Sequence, residues 1–277
     1  MIGPNPYRSF IQRIKGVRQL PWFNAFMVLL VFHLVWELLV DLNFMEAFLF
    51  PPPSKIVQGF YELLTSGFPE GVKLITHVQI TLARIFKAYG IACFAAILLG
   101  ILIGWYGWLY TLCRPVITFC RSIPAITLIP LMITWFGIGE LSKVFLIGYV
   151  CFWVTITNTI DGVRYVDPVL IRAAKSLDAS TRQIFYSVVL PAISPRIATG
   201  LRMSLSAAFM VIIAAELIAT VHGLGALIME ARRFFRADLT LVGMIVIGLC
   251  GMGLNGVFSW IERRVMVWHI GLEQVKR

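Results

Sequence analysis

The sequence predicts an all-α, polytopic membrane protein with about six transmembrane helices, and three observations predict it. The 277 residues are 59% hydrophobic and 14% charged, against about 45–50% and about 25% in soluble domains. Mean hydropathy is +0.84. The apolar residues also gather in runs near the ~20 residues that a ~30 Å hydrocarbon core demands. These numbers exclude disordered tails, fibres, disulfide scaffolds and ordinary cytosolic enzymes.

Charge and cysteine usage fit the same class. The net charge of +10 comes from 24 Lys and Arg against 14 Asp and Glu. In a membrane protein such an excess collects in cytoplasmic loops, so no nucleic-acid partner is expected. The five cysteines (Cys93, Cys113, Cys120, Cys151, Cys250) are odd in number, and no two are spaced as Cys-x-x-Cys. They read as small core hydrophobes.

The elements follow in order. Residues 1–21 carry Arg8, Arg13, Lys15 and Arg18 and no acid, and a first span follows within 22–41. No small-x-small cleavage site comes after it, so it reads as a retained span rather than a signal peptide. Residues 41–75 leave the membrane at the triple proline 51–53. Ser54 is placed to cap a short amphipathic helix over 55–64.

A five-helix core is expected over 76–261. Span two runs roughly 80–106, with Gly100 and Gly104 as a small-xxx-small pair. Arg114-Pro115 reads as a break, and span three covers 116–136 despite Pro124 and Pro130. Span four covers 141–159, span five 199–220 and span six 239–261. The whole chain, 1–277, reads as one membrane domain. With the N-terminus inside, sixteen cations lie on the cytoplasmic side and eight outside. That bias supports cytoplasmic N- and C-termini.

The stretch 165–191 is the informative connection. Asp167 suits an N-cap and Pro168 the first helical position. Leu170, Ala173, Ala174 and Leu177 then share one face at helical spacing. Ser180 with Gln183 fits a capping box for a second helix, and Pro191 discourages its continuation. The first helix is too short to span. Spacing leaves open whether its apolar face docks on another protein or lies on lipid headgroups.

These residues resemble the cytoplasmic EAA loop of permease subunits of ATP-binding-cassette importers, whose pattern is Glu-Ala-Ala, three residues, Gly, and a later Leu-Pro. Here Arg172 stands in place of the Glu, Ala173 and Ala174 match, Asp178 replaces the Gly, and Leu190-Pro191 are in place. Further matching stretches are 49–54 (LFPPPS), 123–124 (IP), 135–143 (WFGIGELSK), 199–202 (TGLR), 215–217 (AEL) and 223–225 (GLG). As a set they resemble the nitrate/sulfonate/taurine branch, nearest its taurine permeases, where an Arg-Ala-Ala variant occurs.

The resemblance implies a type I ABC importer permease fold in the bacterial inner membrane. It implies a coupling loop made of Arg172, Ala173, Ala174, Leu177, Asp178, Leu190 and Pro191. It also implies separate ATPase subunits that bind ATP and Mg, an extracytoplasmic solute-binding protein, and a second permease copy as a homodimer partner. A small anion such as taurine, an alkanesulfonate or nitrate is the implied cargo. Arg172 removes or reverses any salt bridge the usual Glu makes. Asp178 pays about a kcal/mol for a left-handed backbone.

The chain has no Gly-x-x-x-x-Gly-Lys-Ser/Thr loop and no metal, hydrolase or dinucleotide motif, so neither enzymatic activity nor a cofactor of its own is expected. Ionisable groups in spans are costly and mark sites by default. Glu37 near the end of span one reads as an interfacial side chain that snorkels outward, and so, ahead of substrate contact, do Arg84 and Lys87 near the outer end of span two. Glu216 lies deep in span five with no cation within a helical turn, as either an interhelical bond or a gate. On the spans that resemble the translocation core, Ser122, Asn158, Arg202 and Glu216 are the candidate pathway or gate residues. An ion-coupled secondary transporter is the competing reading, but it needs midplane carboxylates, and only Glu216 qualifies.

Overall fold

The computed structural model describes residues 21–265, and among them every regular element is helical. The basic residues 8–18 and the tail cations 276 and 277 lie outside the described residues. The chain divides into two compact units, residues 1–61 and 62–277.

In the first unit, helix α1 (Pro21–Asp41) has 21 residues, about 31 Å at the usual rise. Phe26, Leu30, Phe32, Leu34 and Leu38 are all exposed. A helix apolar on every side belongs in lipid or in a core. Helix α2 (Pro53–Thr65) follows, and its last turn opens the second unit. Glu37 reaches out of α1 to a defined partner. Its carboxylate accepts the Ser54 N–H at 3.1 Å and the Ser54 hydroxyl at 2.6 Å. The cap of α2 is therefore a carboxylate supplied from α1, which also suits the positive end of the helix dipole.

The second unit is built on three long helices. These are α3 (Leu74–Trp105), α6 (Glu140–Arg164) and α9 (Leu190–Ala219). They pack closely because small residues face side chains across each seam. A Cβ added to Gly100 or Gly104 would lie 2.8 Å or 2.7 Å from the Cβ of Thr159 or Val163 on α6. The pair expected from sequence is thus the α3–α6 contact itself. The core between the three helices holds Ile85, Ala88, Cys93, Ile147, Cys151, Ala208 and Ile212. Cys93 and Cys151 are free and buried there.

Between α3 and α6 lie α4 (Gly107–Ser122), a 3-10 turn (Ala125–Leu128) and α5 (Ile129–Phe136). Pro115 sits inside α4, so the break expected at Arg114-Pro115 is absent. The chain bends instead by 83° between α4 and the segment Ala125–Phe136. Ile123 precedes Pro124, and the proline ring pushes it to an extended ψ of 117°, which ends the helix. Span three is therefore a bent pair, not one rod.

After α6 come α7 (Pro168–Ser176), α8 (Thr181–Ile184), a π-turn (Phe185–Val189) and α9. Pro191 does not stop the chain, which runs helically from Thr181 to Ile218 over 38 residues. A proline collides with the carbonyl four residues earlier. The π-turn just before it widens the helix by one residue per turn and relieves that clash. Helices α10 (Leu224–Arg233) and α11 (Ala237–Val265) complete the unit. Among the described residues four helices are long and apolar enough to cross a membrane, or five with the bent pair.

Candidate functional site

All three long helices carry the same two features at opposite ends. The C-terminal end of α6 and the N-terminal end of α9 meet the 165–190 connection. The other ends, with the start of α3, meet a cluster of buried charges.

The connection is rigid through local bonds. Asp167 accepts the Val169 N–H at 2.8 Å, and Pro168 occupies the first turn. Ser180 and Gln183 form a complete capping box, with the Ser180 N–H donating to Gln183 Oε1 at 2.8 Å. Between the two helices Asp178 takes the left-handed conformation at φ 53°, the turn that the family pattern gives to Gly. Behind this frame, Ile184, Val189 and Ile193 pack with Val163 and Val166.

The apolar face of α7 is split, not shared. Ala174 and Ile171 pack half-buried against that cluster. Leu170 and Ala173 point away, exposed, and Leu177 is 83% exposed. Arg172 is exposed with no ion pair among the described residues, so no internal partner stands in for the usual Glu. Leu190 is half-buried and Pro191 exposed in the first turn of α9. Of the coupling candidates, Arg172, Ala173, Leu177, Asp178 and Pro191 are thus exposed, beside Leu170, while Ala174 and Leu190 are half-buried.

At the opposite end the sequence reading of Arg84 is overturned. Its side chain is 6% exposed, and Nη1 donates to Glu216 Oε1 at 2.7 Å. The rest of the guanidinium forks onto Glu140, with Nε and Nη2 at 2.7 and 2.6 Å. Nη1 also reaches the His222 carbonyl at 2.7 Å. A cation cannot snorkel when carboxylates meet it inside the bundle. Lys87 is exposed, as expected.

Glu216 is fully buried and accepts from two further donors besides Arg84. The Thr81 hydroxyl donates to it at 2.9 Å and the Gly225 N–H at 3.0 Å. Thr81 in turn accepts the Leu224 N–H at 2.9 Å. His77 bridges Gly223 and the Phe68 carbonyl, 3.0 Å from Nε2. Nδ1 lies 3.0 Å from the Gly223 carbonyl and 3.2 Å from the Gly223 N–H, so both polar atoms of that glycine meet the ring. Gly223 adopts φ 135°, and a Cβ there would lie 2.5 Å from Glu216 Oε1. The stretch Gly223-Leu224-Gly225 is glycine-bounded because it wraps a carboxylate. Three helix ends and the 220–223 turn are tied into one knot.

Just outside the spans, Arg236 pairs with Asp238 at 2.8 Å and with Glu62 at 2.6 Å. Both carboxylates, Asp238 foremost, push its guanidinium further towards the protonated form. This pair holds the α10–α11 turn against the end of α2.

The other pathway candidates do not converge. Ser122 donates to Thr118 of its own helix at 2.8 Å, and Asn158 to Val154 at 2.8 Å while packing on Gly200. Arg202 is engaged by Glu262. Sequence reasoning names Arg84 only as an interfacial cation and singles out neither Glu140, whose side chain is 62% exposed, nor Thr81; the legible signal was opposite charges in or beside separate spans.

A family model for the inner membrane component of binding-protein-dependent transport systems matches residues 96–267. The chain is 38% identical to a putative ABC transporter permease protein of Methanocaldococcus jannaschii, over 84% of this chain and 87% of that one. It is 36% identical to the taurine transport system permease protein of Escherichia coli, over 85% and 86%. Further matches bear names for aliphatic sulfonates and nitrate. Among solved structures, a chain of the methionine ABC transporter in an inward-facing form superposes with a TM-score of 0.61. It is 18% identical and covers 69% of this chain and 95% of its own, which carries the fold. The family match takes in the last turns of α3 and the chain from there through α6, the 165–190 connection and α9 to α11, while Thr81 and Arg84 precede it. The chain belongs to the inner membrane components of binding-protein-dependent transport systems, as an all-helical, multi-pass permease.

Proposed function

We propose that the chain forms the translocation pathway of an ATP-driven importer for a small anion of the taurine, alkanesulfonate or nitrate kind. Separate ATPase subunits bind ATP and Mg and dock on the 165–190 connection. A solute-binding protein delivers cargo at the opposite, knotted end, and a second copy of this chain completes the pathway. Both termini lie on the ATPase side. The taurine, sulfonate and nitrate names of its relatives support the cargo class.

One observation carries the docking reading. Leu170, Ala173 and Leu177 stand exposed on a short helix capped at its start and followed by a capped second helix. That second helix runs without a break into a span. A push on α7 therefore moves α9 rather than dissipating in a loop. Such a lever has no purpose in an ion-coupled transporter, and Glu216, the carboxylate such a mechanism needs, is neutralised by Arg84.

The test is co-purification of the tagged permease with its ATPase from membranes. Ala173→Glu with Leu177→Glu is expected to abolish association while membrane insertion and thermal stability persist. Full retention of the ATPase would overturn the docking role and leave α7 as a membrane-surface helix. Uptake driven by an ion gradient without the ATPase would favour the secondary transporter.

A further inference from the structure

The helix pair at the loop end leaves an open groove that neither the core nor the coupling face uses. It has a volume of about 350 Å³ and lies between the end of α3 and the start of the long helix. Its lining changes character along its length. Leu98 and Leu102 form one end, and both are exposed on α3. Trp105, Phe185, Tyr186 and Arg182 form the other. Trp105 meets Phe185 edge-on at 5.3 Å, which walls the groove.

The chemistry of this gradient is that of one amphiphile. Exposed leucines at the end of a span face acyl chains. Trp and Tyr prefer the level of the headgroups, where their rings are amphipathic. Arg182 lies at that polar end, exposed and with no ion pair among the described residues. A π-turn starts at Phe185 beside it, and such bulges recur at functional positions. Basic pockets between helices on the cytoplasmic side take anionic headgroups.

We propose that this groove binds an anionic phospholipid of the inner leaflet, its phosphate on Arg182 and an acyl chain along Leu98 and Leu102. The side of the membrane rests on the orientation proposed above. The consequence is mechanical. Arg182 lies two residues after the Ser180 cap, so a bound lipid braces the hinge between coupling loop and span.

The test uses the full-length permease with its ATPase partner in nanodiscs of phosphatidylcholine, with or without phosphatidylglycerol. Native mass spectrometry of the released permease reads the lipid that stays bound. Arg182→Gln should lower retained phosphatidylglycerol about fivefold relative to phosphatidylcholine, the equivalent of the ~1 kcal/mol that one cation near an anionic surface contributes. Arg182→Lys should restore it, and Arg196→Gln, an exposed cation outside the groove, should leave it unchanged. Inorganic phosphate added in detergent should not compete, since without an acyl chain the leucines go unused.

Equal retention by the wild type and Arg182→Gln would overturn the proposal. So would competition by free phosphate, or a photo-crosslinker at Tyr186 that labels the ATPase or a second permease instead of lipid. Co-purification of the ATPase, read in the same samples, separates this outcome from a failure of the docking reading.

Discussion

The two ends of the three-helix core differ in how they handle polar and apolar groups. At the knotted end, Arg84, Glu216, Glu140 and Thr81 meet within one chain, and the buried carboxylate is fully satisfied. At the loop end the bonds are local caps, and the leftover surface is apolar and exposed. The first end is complete in itself. The second leaves Leu170, Ala173 and Leu177 uncovered among the described residues. Closed polar networks hold a fold in one state, whereas an exposed apolar face on a stiff frame transmits force from outside.

The largest effect should come from opening the knot. Removing one member of a buried ion pair costs about 3–5 kcal/mol, because the other charge stays buried. Arg84→Ala strands Glu216 with only neutral donors. Glu216→Ala leaves Arg84 its fork onto Glu140, so it should cost less. Thermal unfolding in detergent should rank them in that order, and Arg84→Ala with Glu216→Ala should be milder than the sum by about 0.5–3 kcal/mol. Strict additivity would show that the pair is not coupled. Gly223→Ala belongs with the severe variants, since its Cβ would overlap the Glu216 carboxylate.

A second break targets the seam that both ends depend on. Gly100→Leu must force α3 away from Thr159, since even a Cβ lies 2.8 Å from it. Overpacking of this kind costs about 1–3 kcal/mol. The same change at Gly90, where an added Cβ meets nothing within 4 Å, should leave stability within about 0.5 kcal/mol. Equal losses at both positions would sink the claim that the seam is set by close backbone approach.

How much of this was legible before the structure depends on the range of the interaction. The caps of 167–183 are local, so Asp167, Ser180 and Gln183 announce themselves by spacing. Gly100 and Gly104 do the same through their period. The knot joins residues 132 positions apart, and periodicity cannot register two spans against each other. Arg84 therefore read as interfacial. Pro115 and Pro191 misled for a related reason. A proline's effect depends on whether the helix before it can widen or end elsewhere, and only the packed chain shows that the break falls at Ile123 and the relief at the π-turn. The outward turn of Leu177 was equally hidden, because helical spacing groups it with Ala174, which packs inward.

The smallest effect sharpens the loop end. Asp178 holds φ 53° with its side chain exposed, so its backbone alone decides the outcome of substitution. A left-handed residue other than Gly costs roughly 1–2 kcal/mol, less for Asp and Asn. Asp178→Ala should therefore lose up to about 1 kcal/mol. Asp178→Gly should be neutral or gain a few tenths, its relief of strain offset by the extra freedom of Gly in the unfolded chain. Hydrogen exchange at the α7–α8 turn would read both changes where global unfolding is too coarse. Slower exchange in the Gly variant and faster in the Ala variant would assign the rigidity of the lever to this one dihedral. An Ala variant that exchanges like the wild type would place it in the flanking caps, where Ser180→Ala, at about 1 kcal/mol, becomes the more informative cut.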